Sequence, residues 1–430
     1  MPTVINAFEK QFAQVDFLCR RMPGAILRVC RSYSTLNTRC ELNRSVFSSG
    51  IGRLTGAAVA ALAAVLSVAC SNQTTPIPGG SAAGIAVHYP SQSPPVPIPS
   101  AGTAYIGAWV NPTGIVRPSP DVQASMTAAL ESSMGRNLAL HMHYYPSFYP
   151  TPGTNYVGSP NFEAEMADDV SHHRIPVISM VCGDSLESIA QMKGADKTAI
   201  DTAANAIGAL KTPVFLRFFW EFDLDVNGDT KNGDSANCFN QNLPLTSSSG
   251  PSRAGDFVAA WEAIHNEFAA DHVTNVAWLW CPTGGWGTVG SPNQLTLTEN
   301  QLAQFLPPSM PIQYVDWIGV DAYDWGGTGL DGTIGAFYTF YQHQVSSGQP
   351  ILVAETGENS TNYQLGRTPQ YQYLGQALSE IPSTYPQIRG FMYFDDPGQS
   401  SNDWSFNANG LSKWDYIANQ PVFAPTLLNP

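Results

Sequence analysis

The sequence predicts an α/β protein built on a closed (β/α)8 TIM barrel, preceded by a signal segment and a Pro/Ser-rich linker. Eight short runs of apolar, β-branched or aromatic residues follow Ala101: Ala104–Val110, Leu138–His143, Pro176–Cys182, Pro213–Phe219, Asn275–Cys281, Val315–Tyr323, Pro350–Glu355 and Arg389–Asp395. Between them lie segments of helical period or composition, at Asp121–Met134, Phe162–His173, Ala195–Leu210, Arg253–Ala270, Ile334–Val345 and Tyr371–Ile381. Strand runs such as Ile351–Ala354 are apolar without a break, as a parallel sheet requires when crossover helices cover both its faces. Eight such units close a barrel. An open doubly wound sheet is the alternative, but its nucleotide-binding form needs a Gly-rich turn after the first strand, which Gly107-Ala108-Trp109 does not supply.

With 43% hydrophobic and 13% charged residues, the 430-residue chain can bury a large core, which excludes disorder as its overall state. Its net charge of −14, from 20 basic and 34 acidic residues, repels phosphate backbones and argues against nucleic acid as a partner. The 10 Trp, 17 Tyr and 20 Phe suit stacking platforms for neutral, hydroxyl-rich ligands as well as an ordinary core.

Residues 1–70 read as a leader. The uncharged run Leu54–Ala69 follows Arg44 and Arg53, is short for a membrane span, and has the order of an export signal. Leu66-Ser67-Val68-Ala69-Cys70 resembles a lipoprotein cleavage site, with Cys70 as the lipidated residue and a membrane tether; cleavage by an ordinary signal peptidase and retention as an anchor are the alternatives. Residues 71–100, with seven prolines, form a linker, 101–420 the barrel domain and 421–430 a tail. Export places the chain outside the cell or on its surface, in an oxidising compartment. Cys19, Cys30 and Cys40 precede the apolar run, so Cys182, Cys238 and Cys281 remain for one disulfide and one free thiol, the pairing being open.

In such barrels the active site gathers at the carboxyl ends of the strands. The fourth strand runs out through Arg217-Phe218-Phe219-Trp220-Glu221-Phe222-Asp223, and the seventh through Ala354-Glu355-Thr356-Gly357. Two carboxyls facing each other across the mouth are the equipment for glycosidic cleavage: one protonates the leaving oxygen while the other attacks or activates water. A lone Glu would read as a solvated loop acid; two at strand exits, flanked by aromatics, point to catalysis. Glu221 must keep its proton, which Phe219, Trp220, Phe222 and an ionised Glu355 would favour.

Four stretches together resemble glycoside hydrolase family 26, the β-mannanase-like members of the retaining (β/α)8 clan: Arg217 to Glu221, Trp278-Leu279-Trp280-Cys281-Pro282, Tyr314 to Tyr323, and Pro350 to Gly357. The resemblance is colinear over roughly 105–404. It implies Glu221 as acid/base, Glu355 as nucleophile, Arg217 as the arginine four residues before the acid, and Tyr323 as the tyrosine that orients the nucleophile. The family has His before the acid/base and Met-Asn after it, whereas this chain has Trp220, Phe222 and Asp223, a departure that bears on substrate more than on mechanism.

Trp109, Trp280, Trp286, Trp325 and Trp404 lie at or just past strand ends and could stack on pyranose rings or pack in loops. His141 and His143 would share one face of the second strand; no later strand ends in a further His, so a metal site is not expected, and His143 is assigned to a sugar contact or a structural hydrogen bond. Asp223 to Asp234 matches a calcium-loop spacing but lacks flanking helices and the terminal Glu, so a polar turn is preferred, with Asp223 reaching towards substrate. The expectation is a monomeric, exported, retaining glycoside hydrolase without a cofactor, acting within a polysaccharide, β-mannan or a related glycan. The rival is a non-catalytic carbohydrate-binding surface protein on the same barrel. The long loops Leu224–Gly250 and Thr283–Asn300 carry no legible motif.

Overall fold

The computed structural model describes residues 95–430 apart from 147, 151–154, 227–237, 285–293, 309–312, 346–347, 360–367, 399–402 and 427–430. The leader, Cys70, the linker up to residue 94, Trp286 and most of the calcium-like loop lie outside the described residues. The chain divides between Ala82 and Ala83, and the barrel belongs to the second unit. Among the described residues no helix is long and apolar enough to cross a membrane.

Eight parallel strands close in sequence order, with β8 pairing to β1: β1 (Tyr105–Val110), β2 (Leu140–Tyr145), β3 (Ile175–Met180), β4 (Val214–Phe218), β5 (Val276–Trp280), β6 (Trp317–Asp324), β7 (Ile351–Glu358) and β8 (Ile388–Asp395). Every expected strand is present. So is every expected helix, and among the described residues four more, Leu186–Gln191, Phe222–Asp225, Glu299–Leu302 and Ala408–Ala418, join them. The helix Gly329–Gln344 begins before the periodic stretch at Ile334, because Asp324 takes up the Thr328 and Gly329 N–H groups at 2.7 and 2.6 Å and so offsets the glycines of its first turn.

Each strand buries both faces. Leu140, Met142, Val177, Phe215, Leu279, Trp317, Leu352 and Met392 fill the barrel axis, while Ile106, Ile178, Leu216, Val320 and Val353 pack outwards on the helices. Gly107 is needed for this filling, since a Cβ there would stand 2.5 Å from Leu140 Cβ. Val96 joins the axial cluster and Phe423 is fully buried, so the packed unit takes in residues on both sides of 101–420. A Cys182–Cys238 disulfide ties the exit of β3 to the loop after β4, and Cys281 keeps a buried thiol.

Asp395, at the end of β8, makes stability depend on pH. Burial pushes its carboxyl up to about 7, the Phe406 N–H bond at 2.9 Å works against that, and Asp396 and Asp403 add to the rise. The folded chain therefore holds a proton that the unfolded chain releases near pH 4, so this group's contribution falls as pH rises from about 4 to about 7 and is constant above. Asp395→Asn keeps an acceptor for the Phe406 N–H. It is expected to raise stability by about 1–3 kcal/mol at pH 8 and to be neutral near pH 3.5, read as melting temperatures at both values. An equal effect at the two pH values would contradict this account.

Candidate active site

At the carboxyl end of the barrel one oxygen each from Glu221, Asp321 and Glu355 lies within 4.8 Å of the others. Two local irregularities aim the glutamates. Beyond β4 the backbone passes through two left-handed non-glycine residues, Phe219 (φ 46°) and Glu221 (φ 54°). This strained exit is held by Phe219 N–H to Met180 O at 2.6 Å and Glu221 N–H to Cys281 O at 2.9 Å. On β7, Leu352 and Ala354 face the axis, so strict alternation would turn Glu355 out among the helices. The β6–β7 register shifts instead from Val320↔Val353 to Asp321↔Glu355, and this bulge returns Glu355 to the mouth.

Arg217, fully buried, organises the acids. Its Nε–H donates to Ser179 Oγ at 2.9 Å, Nη1 to both Asp321 oxygens at 2.6 and 2.5 Å, and Nη2 to Glu355 Oε1. The Tyr323 hydroxyl donates to Glu355 Oε2 at 2.6 Å, and the Cys281 thiol to Asp321 Oδ1 at 3.3 Å. Burial works against the Arg217 charge, but Asp321 and Glu355 hold its pKa well above the ordinary value. Burial raises the Asp321 carboxyl well above the usual range; Arg217 pulls it down, and Glu355 and Glu221 push it further up. Burial and the Glu355 charge likewise raise the Tyr323 phenol, keeping it a donor. One guanidinium faces three carboxyl groups, an imbalance that favours retention of a proton among them near neutral pH.

Aromatic rings wall this cluster. Trp220 lies 5.5 Å from Tyr144 with the Arg217 guanidinium 5.6 Å from its ring, Trp109 meets Tyr144 edge-on at 5.0 Å, and Trp404 stands 4.8 Å from Tyr323 and 5.1 Å from Trp325. Trp109, Trp220 and Trp325 are all partly exposed.

Two expected substrate contacts, Trp280 and Asp223, are corrected by the geometry, and His143 takes the structural hydrogen bond of its two expected roles. Trp280 is fully buried on the helix side of β5, packed on Phe222 and Phe340, with its N–H donated to Phe305 O at 3.0 Å, so no sugar can reach it. Asp223 is buried too, and its oxygens accept the Thr283 N–H at 2.8 Å and hydroxyl at 2.6 Å, which pins the exit of β5. His143 shares the helix-facing side of β2 with His141, opposite Met142 and Tyr144; its Nε2 and His141 Nδ1 each sit 2.6 Å from Asp169, which Arg174 also contacts. Burial opposes protonation of both rings. It prevails at His141, whereas Asp169 outweighs it at His143 and raises that pKa.

Sequence reasoning missed Asp321 and Tyr144. Both were signalled by alternation: Asp321 stands two residues before Tyr323, and Tyr144 two after the inward Met142.

Three groups among the described residues could offer three ligands to a cation: Glu221–Asp321–Glu355, His141–His143–Asp169 and Asp201–Glu267–Asp271. In each a protein cation already sits on a carboxylate, namely Arg217, Arg174 and Lys197.

No family model matches the chain. Among curated proteins, endoglucanase H of Acetivibrio thermocellus is 24% identical over 161 residues, 36% of this chain and 15% of that protein, so the match spans about one-seventh of the relative's length. Among solved structures, a GH26 β-mannanase from Bacteroides ovatus superposes with a TM-score of 0.50 at 12% identity, covering 76% of this chain and 91% of that one. A GH26 endo-β-1,4-mannanase catalytic domain from a Bacillus species gives 0.49 at 16% identity, covering 76% and 88%. The Bacteroides likeness is one of fold. Enzymes of the family that the four sequence motifs resemble are thus among the proteins that share this barrel.

Proposed function

We propose that the protein is an exported, retaining glycoside hydrolase that cuts within a polysaccharide, β-mannan or a related glycan, by double displacement. The observation that carries this reading is that one oxygen of Glu221 and one of Glu355 lie within 4.8 Å of each other across the mouth. Carboxyl groups about 5–5.5 Å apart suit a nucleophile and an acid on one sugar, whereas an inverting pair needs about 6.5–9.5 Å to admit water between them.

Glu355 is the nucleophile. Arg217 and Tyr323 each donate to one of its oxygens, which fixes its orientation. It attacks the anomeric carbon as Glu221 gives its proton to the departing oxygen. Glu221 then takes a proton from the water that breaks the glycosyl–Glu355 ester, and both acids return to their starting states. Trp109, Trp220 and Trp325 offer faces for neighbouring sugar rings.

The order of charged, apolar and small residues around Leu54–Ala69 supports export, and Cys70 followed by a Pro-rich stretch supports a tether that holds the protein at the cell surface. Product analysis on mannans, glucans, xylans and bacterial envelope polysaccharides tests the function. The expected result is release of oligosaccharides whose new reducing ends keep the anomeric configuration of the bond cut. Inverted products would remove the mechanism, and binding without turnover would leave a carbohydrate-binding protein.

A further inference from the structure

Beside the mouth, on the β1–β3 side, lies a cavity of about 220 Å³ that shares Trp109, Tyr144 and Trp220 with the wall of the acid cluster. Three features single it out. Arg117 lines it, is exposed, and has neither an ion pair nor a hydrogen bond among the described residues, although Arg136, Arg174, Arg217 and Arg253 are all engaged. The Arg117 backbone is left-handed (φ 55°), a conformation that a bulky residue keeps only where its surroundings impose it. Gln123, almost wholly buried in the same wall, donates its amide to Val110 O at 2.9 Å and leaves Oε1 without a hydrogen-bond partner.

We propose that this cavity receives a uronic-acid residue of the glycan, its carboxylate on Arg117, its ring against Trp109 and Trp220, and a hydroxyl on Gln123. The assignment deepens the hydrolase reading and rests on it for the direction of the sugar chain. Arg117 offers a planar, bidentate donor pair, the geometry that carboxylates match. The acid on the same wall, Glu165, does not compete for it: its Oε2 accepts the Tyr145 hydroxyl and lies 3.7 Å from His143 Nδ1. In a chain of net charge −14, a guanidinium without a partner among the described residues selects for a negative group on the ligand and against its neutral counterpart.

The test uses the full chain carrying Glu355→Gln, which holds ligand uncut, and measures by calorimetry the binding of a uronic-acid-bearing oligosaccharide and of the same oligosaccharide after carboxyl reduction. The acid form is expected to bind about tenfold tighter at low salt, with the ratio shrinking as salt rises. Adding Arg117→Gln should bring the ratio close to one. Equal binding of the two forms, or a ratio that Arg117→Gln leaves untouched, overturns the assignment. Selective binding of the acid form by a wild-type protein that turns over no glycan would support the cavity assignment while removing the hydrolase reading.

Discussion

The Glu355→Gln protein is expected to lose hydrolysis by about 10⁴-fold or more while still binding oligosaccharide, because an amide cannot form the covalent bond to the anomeric carbon that the carboxylate forms. Glu221→Gln is expected to behave differently. Losing the general acid costs about 10²–10⁴-fold on natural glycans, but little on aryl glycosides whose leaving groups depart without a proton. On those substrates the glycosyl–Glu355 ester should accumulate, visible as a burst of product and as added mass on the intact protein. Two variants with the same deficit on every leaving group would deny the division of labour between β4 and β7. Retained turnover in Glu355→Gln would remove Glu355 as the nucleophile and, with it, the double-displacement step assigned to it.

Much of this was legible in the chain. Near-continuous apolar runs separated by helical stretches specify parallel strands under helices, and eight of them leave a barrel as the economical closure. Such runs hide parity, however. Where both faces of a strand are buried, an inward residue looks like an outward one, which is why Trp280, one step from the axial Leu279, was read as a sugar platform. The same ambiguity left both roles open for His143, one step from the inward Met142, and the structure fills the structural one with its bond to Asp169. Glu355 shows the reverse case. Alternation from Leu352 and Ala354 would have turned it outwards, and only the skipped register at β7, which has no sequence mark, brings it back. Its place at the exit of the seventh strand, and the motif that resembles family 26, captured Glu355 where periodicity would have lost it. The exposed guanidinium of Arg117, without a partner among the described residues, was invisible because exposure and pairing are properties of the fold.

Arg217→Met is expected to be the most destabilising single change at the site. The side chain is fully buried and neutralises Asp321 and Glu355 together, so its removal leaves two acids facing each other in a dry pocket, at a cost of about 3–5 kcal/mol. The sign of the pH dependence follows. Without the guanidinium, both carboxyls in the folded variant would take up protons more readily than in the unfolded chain. The variant's deficit should then be small near pH 4 and grow as pH rises towards 8, read from urea melts at each pH. Arg217→Lys keeps the charge but cannot reach Ser179, Asp321 and Glu355 at once, and should recover part of the stability. Asp321→Asn made in the Arg217→Met background removes one of the stranded charges. It should restore stability there while costing stability in the otherwise unchanged protein, where it discards half of the Arg217 pairing. Equal effects of Asp321→Asn in both backgrounds would mean that Arg217 supports the barrel by packing alone, and that the charge balance around Glu355 has another source.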